Sequence, residues 1–363
     1  MRVFLGHLGV VVLGTVMATM PAEIRQGELQ RHPAGEPGIT LVLAGDVMLG
    51  RLVNETIHRR GPRYVWGDIV PLLRRPDFTF VNLECVIARG GKPFTPKRAF
   101  YFRADPPNAR ALVEGGIDGV ALANNHALDF RQEGLLETIS HLDRLGIAHC
   151  GAGKDTPEAS APAVVEVRDV KIGFVAFADH FREYAAAGKS AGINLITVSR
   201  DKGVLGRVEK AILSARREGA DLVVFSIHWG PNMRERPTPE FIEFAHAVMD
   251  RGADIFHGHS AHIFQGIEIY RGKPILYDTG DLIDDYYVDP VLRNDRQLLF
   301  RLSLSSSRVT EIELIPIRIH EMQVNRATGI DFAAIRDRMV HLSKPFGTQI
   351  EVGDDRLWIA VGE

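Results

Sequence analysis

Sulfur ligands are nearly absent from this chain. Cys85 and Cys150 are the only cysteines among 363 residues. Two thiols cannot build a disulfide framework or a zinc–thiolate cluster, so any metal held here must be bound through nitrogen and oxygen, although one disulfide stays open. A surplus of one charge is lacking as well: 43 Lys and Arg stand against 46 Asp and Glu, a net charge of −3. At the level of the whole chain that gives no case for a nucleic-acid groove, and no nucleic-acid partner is expected. Long apolar runs are missing beyond residue 20, so nothing after that point reads as a bilayer span. Internal repeats, low-complexity tracts and a domain-separating linker after residue 39 are missing too. What remains is ordinary globular composition, 45% hydrophobic and 25% charged, enough for one large or two modest domains.

The N-terminus has its own character. Arg2 precedes an apolar run from Val3 to Met20, interrupted by glycines and His7. A positive start followed by an apolar core has the shape of a secretory signal, with Val16-Met17-Ala18 as a small-residue cleavage site. Left uncleaved, the run becomes a short membrane anchor; a start at Met17 or Met20 leaves the chain cytoplasmic. Export or membrane association is the reading adopted. Residues 21–38, with Pro33, Gly35 and Pro37, read as a linker. Residues 1–38 are therefore a leader plus linker, and 39–363 a single folded domain.

That domain begins with a strong strand at residues 39–44. Apolar β runs then alternate with helical stretches: helices over 65–75, 107–115, 132–145, 204–217 and 239–251, and strands over 78–83, 119–123, 221–227 and 254–256. Residues 164–178 read as a hairpin turning at Arg168-Asp169. Beyond residue 263 the pattern becomes β-rich, with hairpins over 267–277 and 298–319, a helix over 332–342 and a last strand over 357–361. Alternating order followed by hairpins predicts an α/β fold, a mostly parallel sheet covered by helices and packed on a second sheet.

Polar side chains recur where the apolar strands stop. Asp46, Glu84, Asn125 with His126, His228, and His259 with His262 each follow a β run. In open α/β sheets, ligands bind beyond the carboxyl ends of the strands. Five such ends offer one crevice two carboxylates, an amide oxygen and several imidazoles. The densest stretch is His257-Gly258-His259-Ser260-Ala261-His262, three imidazoles at one strand end. A mixed nitrogen and oxygen shell suits Mn, Fe or Zn, and a shared carboxylate allows two cations.

The motifs Gly45-Asp46-Val47-Met48-Leu49-Gly50-Arg51, Asn82-Leu83-Glu84, Asn124-Asn125-His126-Ala127-Leu128-Asp129, His228-Trp229-Gly230 and Gly258-His259-Ser260-Ala261-His262 resemble the calcineurin-like metallophosphatase superfamily. Within it they resemble the CapA family of poly-γ-glutamate capsule biosynthesis proteins. Gln265-Gly266-Ile267-Glu268 and the run from Gly272 to Tyr277 also look like that family, and the likeness extends over about residues 39–320. The resemblance implies a four-layer αββα sandwich of two mixed sheets and a divalent metal centre with two sites. It implies that Asp46, Glu84 and His262 hold one ion, and that Glu84, as bridge, with Asn125, His228 and His259 holds the other. His126 would be the proton donor, oriented by Asp129. Two departures stand out: Met48 occupies the place of the usual Asp-x-His imidazole, and the bridge is Glu rather than Asp. The implied activity is a hydrolase of capsule metabolism acting on poly-γ-glutamate. The rivals are a general phosphoesterase on small phosphate esters and a non-catalytic polymer-binding accessory.

Other residues follow from chemistry alone. Arg51, Arg103 and His180 are candidates to meet an anionic substrate, since guanidinium and imidazolium match carboxylate or phosphate. Asp278, Asp281, Asp284 and Asp285 form an acidic cluster. Asp284 and Asp285 are expected in a solvated loop, and Asp281 has the better claim to orient histidines. His257 is a further candidate for that supporting role.

Overall fold

A strand covered on both faces must be apolar at nearly every position, and its two faces must find different partners. The strand Leu222–His228 is buried throughout. Leu222 and Val224 pack into the core between two sheets; Val223, Phe225 and Ile227 pack into a second core beneath helices. The strand Val170–Ala178 divides the same way, with Ile172, Phe174 and Ala176 on the inner side and Val175 and Phe177 on the outer. The inner face meets the other sheet directly, where the Phe80 and Phe174 rings stack at 4.2 Å. The period of two carries past the apolar residues. Ser226 and His228 therefore fall on the face of Leu222 and Val224, and His257 and His259 on the face of Ile255.

The computed structural model describes residues 38–95 and 97–362; the expected leader and nearly all of the linker lie outside them. From Gly38 onward the chain forms one compact unit. Its larger sheet runs Glu351–Val352, Leu357–Ala360, Arg308–His320, Arg296–Ser305, Ile39–Val47, Phe78–Leu83, Gly119–Ala121, Ala148–Cys150. Asp281–Ile283 adds to it beside Ile39–Val47, and Gln323–Arg326 beside Arg308–His320. The smaller sheet runs Ile267–Tyr270, Lys273–Leu276, Ile255–His259, Leu222–His228, Val170–Ala178, Ala163–Val167. Both sheets mix parallel and antiparallel pairs. Helices Lys202–Arg217 and Pro239–Met249 cover the smaller sheet, while Arg131–Leu145 and Gly329–Ser343 pack on elements of the larger one. The fold is the four-layer αββα sandwich.

The structure departs from the sequence reading in several places. Arg51–Arg60 is helical, an element the pattern does not announce. The helix expected over 65–75 is a 3₁₀ stretch, Tyr64–Ile69, kinked at Gly67 before a short helix Val70–Arg74. Gly67 has φ +41°, and a Cβ there would lie 2.3 Å from the Val324 carbonyl, so the strand behind it forces the break. The strand expected to reach Ala123 stops at Ala121. Both cysteines are free and buried, and burial pushes each thiol up to about 12. No helix among the described residues is long and apolar enough to cross a membrane.

One close approach fixes where the site will form. The Asp46 N–H donates to the Gly280 carbonyl at 2.9 Å. A Cβ on Gly45 would lie 1.7 Å from that same oxygen. Gly45→Ala is therefore expected to cost about 3 kcal/mol or more. Gly206 lies exposed inside the helix Lys202–Arg217 with nothing within 4 Å of a new methyl; Gly206→Ala is expected to gain about 0.5–1 kcal/mol. Urea unfolding of both variants measures the contrast, and equal effects would sink it.

Candidate metal centre

The two sheets bring their strand ends to one place. Across the larger sheet Asp46 pairs with Asn82 on one side and with Asp281 on the other. Across the smaller sheet His228 pairs with His259 and Ser226 with His257. His259 Nδ1 then lies 3.5 Å and His228 Nδ1 3.7 Å from Asp46 Oδ1. His228 Nε2 is 3.7 Å from Glu84 Oε1. His262 Nδ1 is 3.4 Å from Asp46 Oδ2 and 2.9 Å from Asp281 Oδ1. Two groups result, Asp46 with His228 and His259, and Asp46 with Glu84, His262 and Asp281. Within each, one ligand atom per residue lies within 4.8 Å of the others, and Asp46 belongs to both.

Buried polar atoms in native structures nearly always have a hydrogen-bond partner. Here Asp46 Oδ2, Glu84 Oε1, Asn125 Oδ1, His228 Nε2, Asp281 Oδ2 and Asp284 Oδ2 are buried and make no hydrogen bond. All are hard or borderline donors of the kind that coordinates divalent cations. The residues present therefore fit a metal centre.

The charges point the same way. Burial, then the neighbouring Asp46 charge, drives Glu84 well above the ordinary carboxylate range. Burial and the Asp281 charge do the same to Asp284, and burial raises Asp281 against the pull of His262. Asp46 is the exception: burial opposes its ionisation, but His228, His262 and His259 together hold it well below its usual value. Burial presses His228 down to about 4 and His259 well below its ordinary value, so both are neutral imidazoles near pH 7. Neutral imidazole is the form that binds metal. His262 is driven the other way, since Asp281 and Glu84 outweigh its burial.

A second shell of buried polar groups holds this cluster in place. Asn82 Nδ2 donates to Asp46 Oδ1 at 2.7 Å. Asn124 Nδ2 donates to Asn82 Oδ1 and to the Leu83 carbonyl, while its own oxygen accepts from the His126 N–H at 3.0 Å. Tyr286 donates its hydroxyl to Glu84 Oε2 at 3.1 Å. Asp278 accepts from the Ala261 and Gly280 N–H groups, which pins the turn carrying His262. That turn is conformationally costly, with Ser260 at φ +117° and His262 at φ +60°. Sequence reasoning names none of Asn82, Asn124 or Tyr286 as site residues. The signal for the first two is that each sits buried beside a candidate ligand in a strand-end motif.

His126 and Asp129 form a dyad at the edge. The Asp129 Oδ2 accepts from His126 Nδ1–H at 2.6 Å and from the Phe102 N–H at 2.6 Å. A carboxylate can only accept, so Nδ1 carries the proton and Nε2 is left for the cleft. Nε2 lies 3.9 Å from Glu84 Oε1. The ring is held flat against Phe102, centroids 3.8 Å apart.

The three expected substrate-facing residues separate. His180 lies beside the cluster, its ring 5.4 Å from His228, and its Nδ1 is 2.6 Å from Asp179. Burial works against its charge, but Asp179 outweighs burial and raises it. Arg51 is engaged elsewhere: Nε is 3.1 Å and a terminal nitrogen 2.8 Å from Asp285, under the Phe100 and Phe102 rings. Arg103 lies over the Phe130 ring at 4.5 Å. The expectation of a solvated loop for Asp284 and Asp285 is corrected. Asp284 is buried and the Asp285 side chain is fully covered, because the added strand Asp281–Ile283 draws the segment inward and Arg51 neutralises Asp285. His257 supports from behind, its Nε2 3.1 Å from the Ala44 carbonyl and from Thr279 Oγ1.

The model of the family described as "Bacterial capsule synthesis protein PGA_cap" matches residues 40–286, a span holding every residue of the cluster. The chain belongs to this capsule synthesis family. Its relatives include a probable polyglutamine synthesis accessory protein of Mycobacterium tuberculosis strain H37Rv, 32% identical over 89% of this chain and 96% of the relative. The capsule biosynthesis protein CapA of Bacillus anthracis is 28% identical over 78% of this chain and 68% of its own. Among solved structures, the Thermus thermophilus sulfate thiohydrolase SoxB in complex with glycerol is 13% identical at a TM-score of 0.46, covering 87% of this chain and 62% of that one.

One pH effect follows from the buried imidazoles of this family member. Burial lowers His257 from 6.5 to about 4. A lowered histidine contributes stability that is complete above 6.5 and is lost as pH falls toward 4, because only the unfolded chain takes up the proton. The stability advantage of metal-stripped wild type over His257→Asn is thus expected to shrink from pH 6.5 to pH 4. Urea midpoints across that range test it, and a constant difference would refute it.

Proposed function

We propose that this chain is a metal-dependent hydrolase of poly-γ-glutamate or related capsule polymer, acting at the centre built on Asp46 and Glu84. One observation carries the reading: the Asp129–His126 dyad turns a ring nitrogen toward Glu84, at the margin of buried donor atoms that lack partners. Family membership supports the polymer, since the matching model is one for capsule synthesis.

When bound, divalent cations would supply Lewis acidity at the electrophilic centre and a water nucleophile of lowered pKa. Asp46, Glu84, His262, His228, His259 and Asn125 would hold them. The rest of the chemistry belongs to the side chains. Asn82 orients Asp46, and Tyr286 orients Glu84. Asp129 fixes the His126 tautomer and stabilises the ring when it is charged. His126 Nε2 gives its proton to the departing atom as the acyl or phosphoryl bond breaks, and the proton lost by the attacking water restores balance. His180, raised toward its charged form by Asp179, is placed to meet an anionic group such as the α-carboxylates along poly-γ-glutamate. The apolar run 3–20 would deliver this chemistry to the envelope.

The first measurement is the metal content of the full chain, wild type beside Glu84→Ala. About two equivalents in wild type, both lost in the variant, are expected for a bridged pair. Turnover follows, on poly-γ-glutamate and on phosphate mono- and diesters with added Mn²⁺. His126→Ala is expected to keep its metal and lose about 10²- to 10⁴-fold in rate. Preference for the small esters would instead make the chain a general phosphoesterase. Metal held without turnover on any of these would return it to the accessory role that the mycobacterial relative's name describes.

A further inference from the structure

The two halves of the centre are chemically unequal, and Asp281 makes them so. The strand Asp281–Ile283 joins the larger sheet parallel to Ile39–Val47, placing Asp281 directly beside Asp46. Two backbone bonds lock this register, Asp46 N–H to the Gly280 carbonyl and Met48 N–H to the Ile283 carbonyl, each 2.9 Å. Asp281 is 1% exposed, and its Oδ2 has no hydrogen-bond partner. Its ligand atom falls within 4.8 Å of those of Asp46, Glu84 and His262, two of which also carry an unpartnered oxygen. Met48, two residues past Asp46, contributes nothing to this position: its sulfur accepts the Gly50 N–H at 3.1 Å.

The donor count then differs by position. One group offers three carboxylates and one imidazole; the other offers Asp46 and two imidazoles, and a bridging Glu84 with Asn125 would still leave it the richer of the two in nitrogen. Oxygen donors suit hard cations such as Mn²⁺, while imidazole suits Zn²⁺.

We propose that Asp281 is a direct metal ligand and that it makes its position an oxygen-rich site for a hard divalent cation such as Mn²⁺, while the His228–His259 position takes the more nitrogen-seeking ion. This rests on the two-metal reading above and extends it to a residue and a selectivity. Zinc out-binds manganese at most nitrogen and oxygen sites, so selectivity must be read with zinc limiting. A single equivalent of Zn²⁺ goes to the imidazole pair, and Mn²⁺ added in excess fills the position of Asp281.

The test is a crystal structure of the full chain loaded in that order, with anomalous scattering recorded for each element. Zinc between His228 and His259, and manganese with an Asp281 oxygen at about 2.2 Å, is the expected result. Manganese present with Asp281 bonded only to His262 would overturn the ligand assignment while leaving the two-metal reading intact. Zinc at the Asp281 position would overturn the selectivity. No ion at either position would overturn the metal reading itself, and this proposal with it. In solution, Asp281→Asn keeps a carbonyl to accept from His262 but loses the charged oxygen. Its Mn²⁺ affinity, from the free-ion spin-resonance signal, is expected to fall at least tenfold while one equivalent of Zn²⁺ is retained. A change under twofold would leave Asp281 with only a positioning role.

Discussion

Buried negative charge without a matching cation is the constraint on which this molecule depends. Asp46, Glu84, Asp281 and Asp284 sit together at the sheet edges, each almost wholly out of water. Taking a carboxylate out of water costs several kcal/mol unless a partner charge is supplied. The Arg51 guanidinium is already engaged by Asp285. Of the surrounding imidazoles, burial keeps His228 and His259 neutral, while His262 is driven toward its charged form. The chain's own residues answer the demand only in part, and burial pushes Glu84 and Asp284 toward their neutral forms. Carboxylates crowded at this cost could hold a cation that binds them more strongly than protons do.

The architecture serves that crowding. Gly45 lacks a side chain where it touches the Gly280 carbonyl, so Asp281 can stand beside Asp46. Parallel pairing aligns strand ends, and the facing sheet brings His228 and His259 to the same depth as Asp46. The turn that carries His262 is strained, since Ser260 and His262 hold positive φ angles, and Asp278 pins the backbone from behind. Rigid strands thus carry the shared ligand, while short turns make the final adjustment.

Most of this was legible wherever side chains follow their own strand. Asp46, His228 and His259 each lie at or one position before the end of an apolar run whose partners are also strands, so period and position sufficed. Asp281 was harder, because its place depends on pairing with a strand near the other end of the chain. Asp284 and Asp285 misled for the same reason. A run of aspartates and tyrosines reads as a solvated loop until the added strand and Arg51 draw it inward. Arg51 in turn read as a free cation because its partner is remote in sequence. Local pattern reports what a residue is and which face it takes; it does not report which distant group has already claimed it.

The histidines make the same point about function. Five of them share one chemistry and take three jobs by environment alone. His228 and His259 are sealed from water and kept neutral, the state a metal ligand requires. His257 is equally sealed but faces a backbone carbonyl and two hydroxyls, so it can only support. His262 lies against Asp281 and Asp46, and Asp281 and Glu84 raise it toward its charged form. His126 has the most open side chain of the five, with one nitrogen fixed by Asp129 and the other toward Glu84. The proton donor of the proposed reaction must reload from water between turnovers, and of the five His126 best combines the orientation and the access to do so.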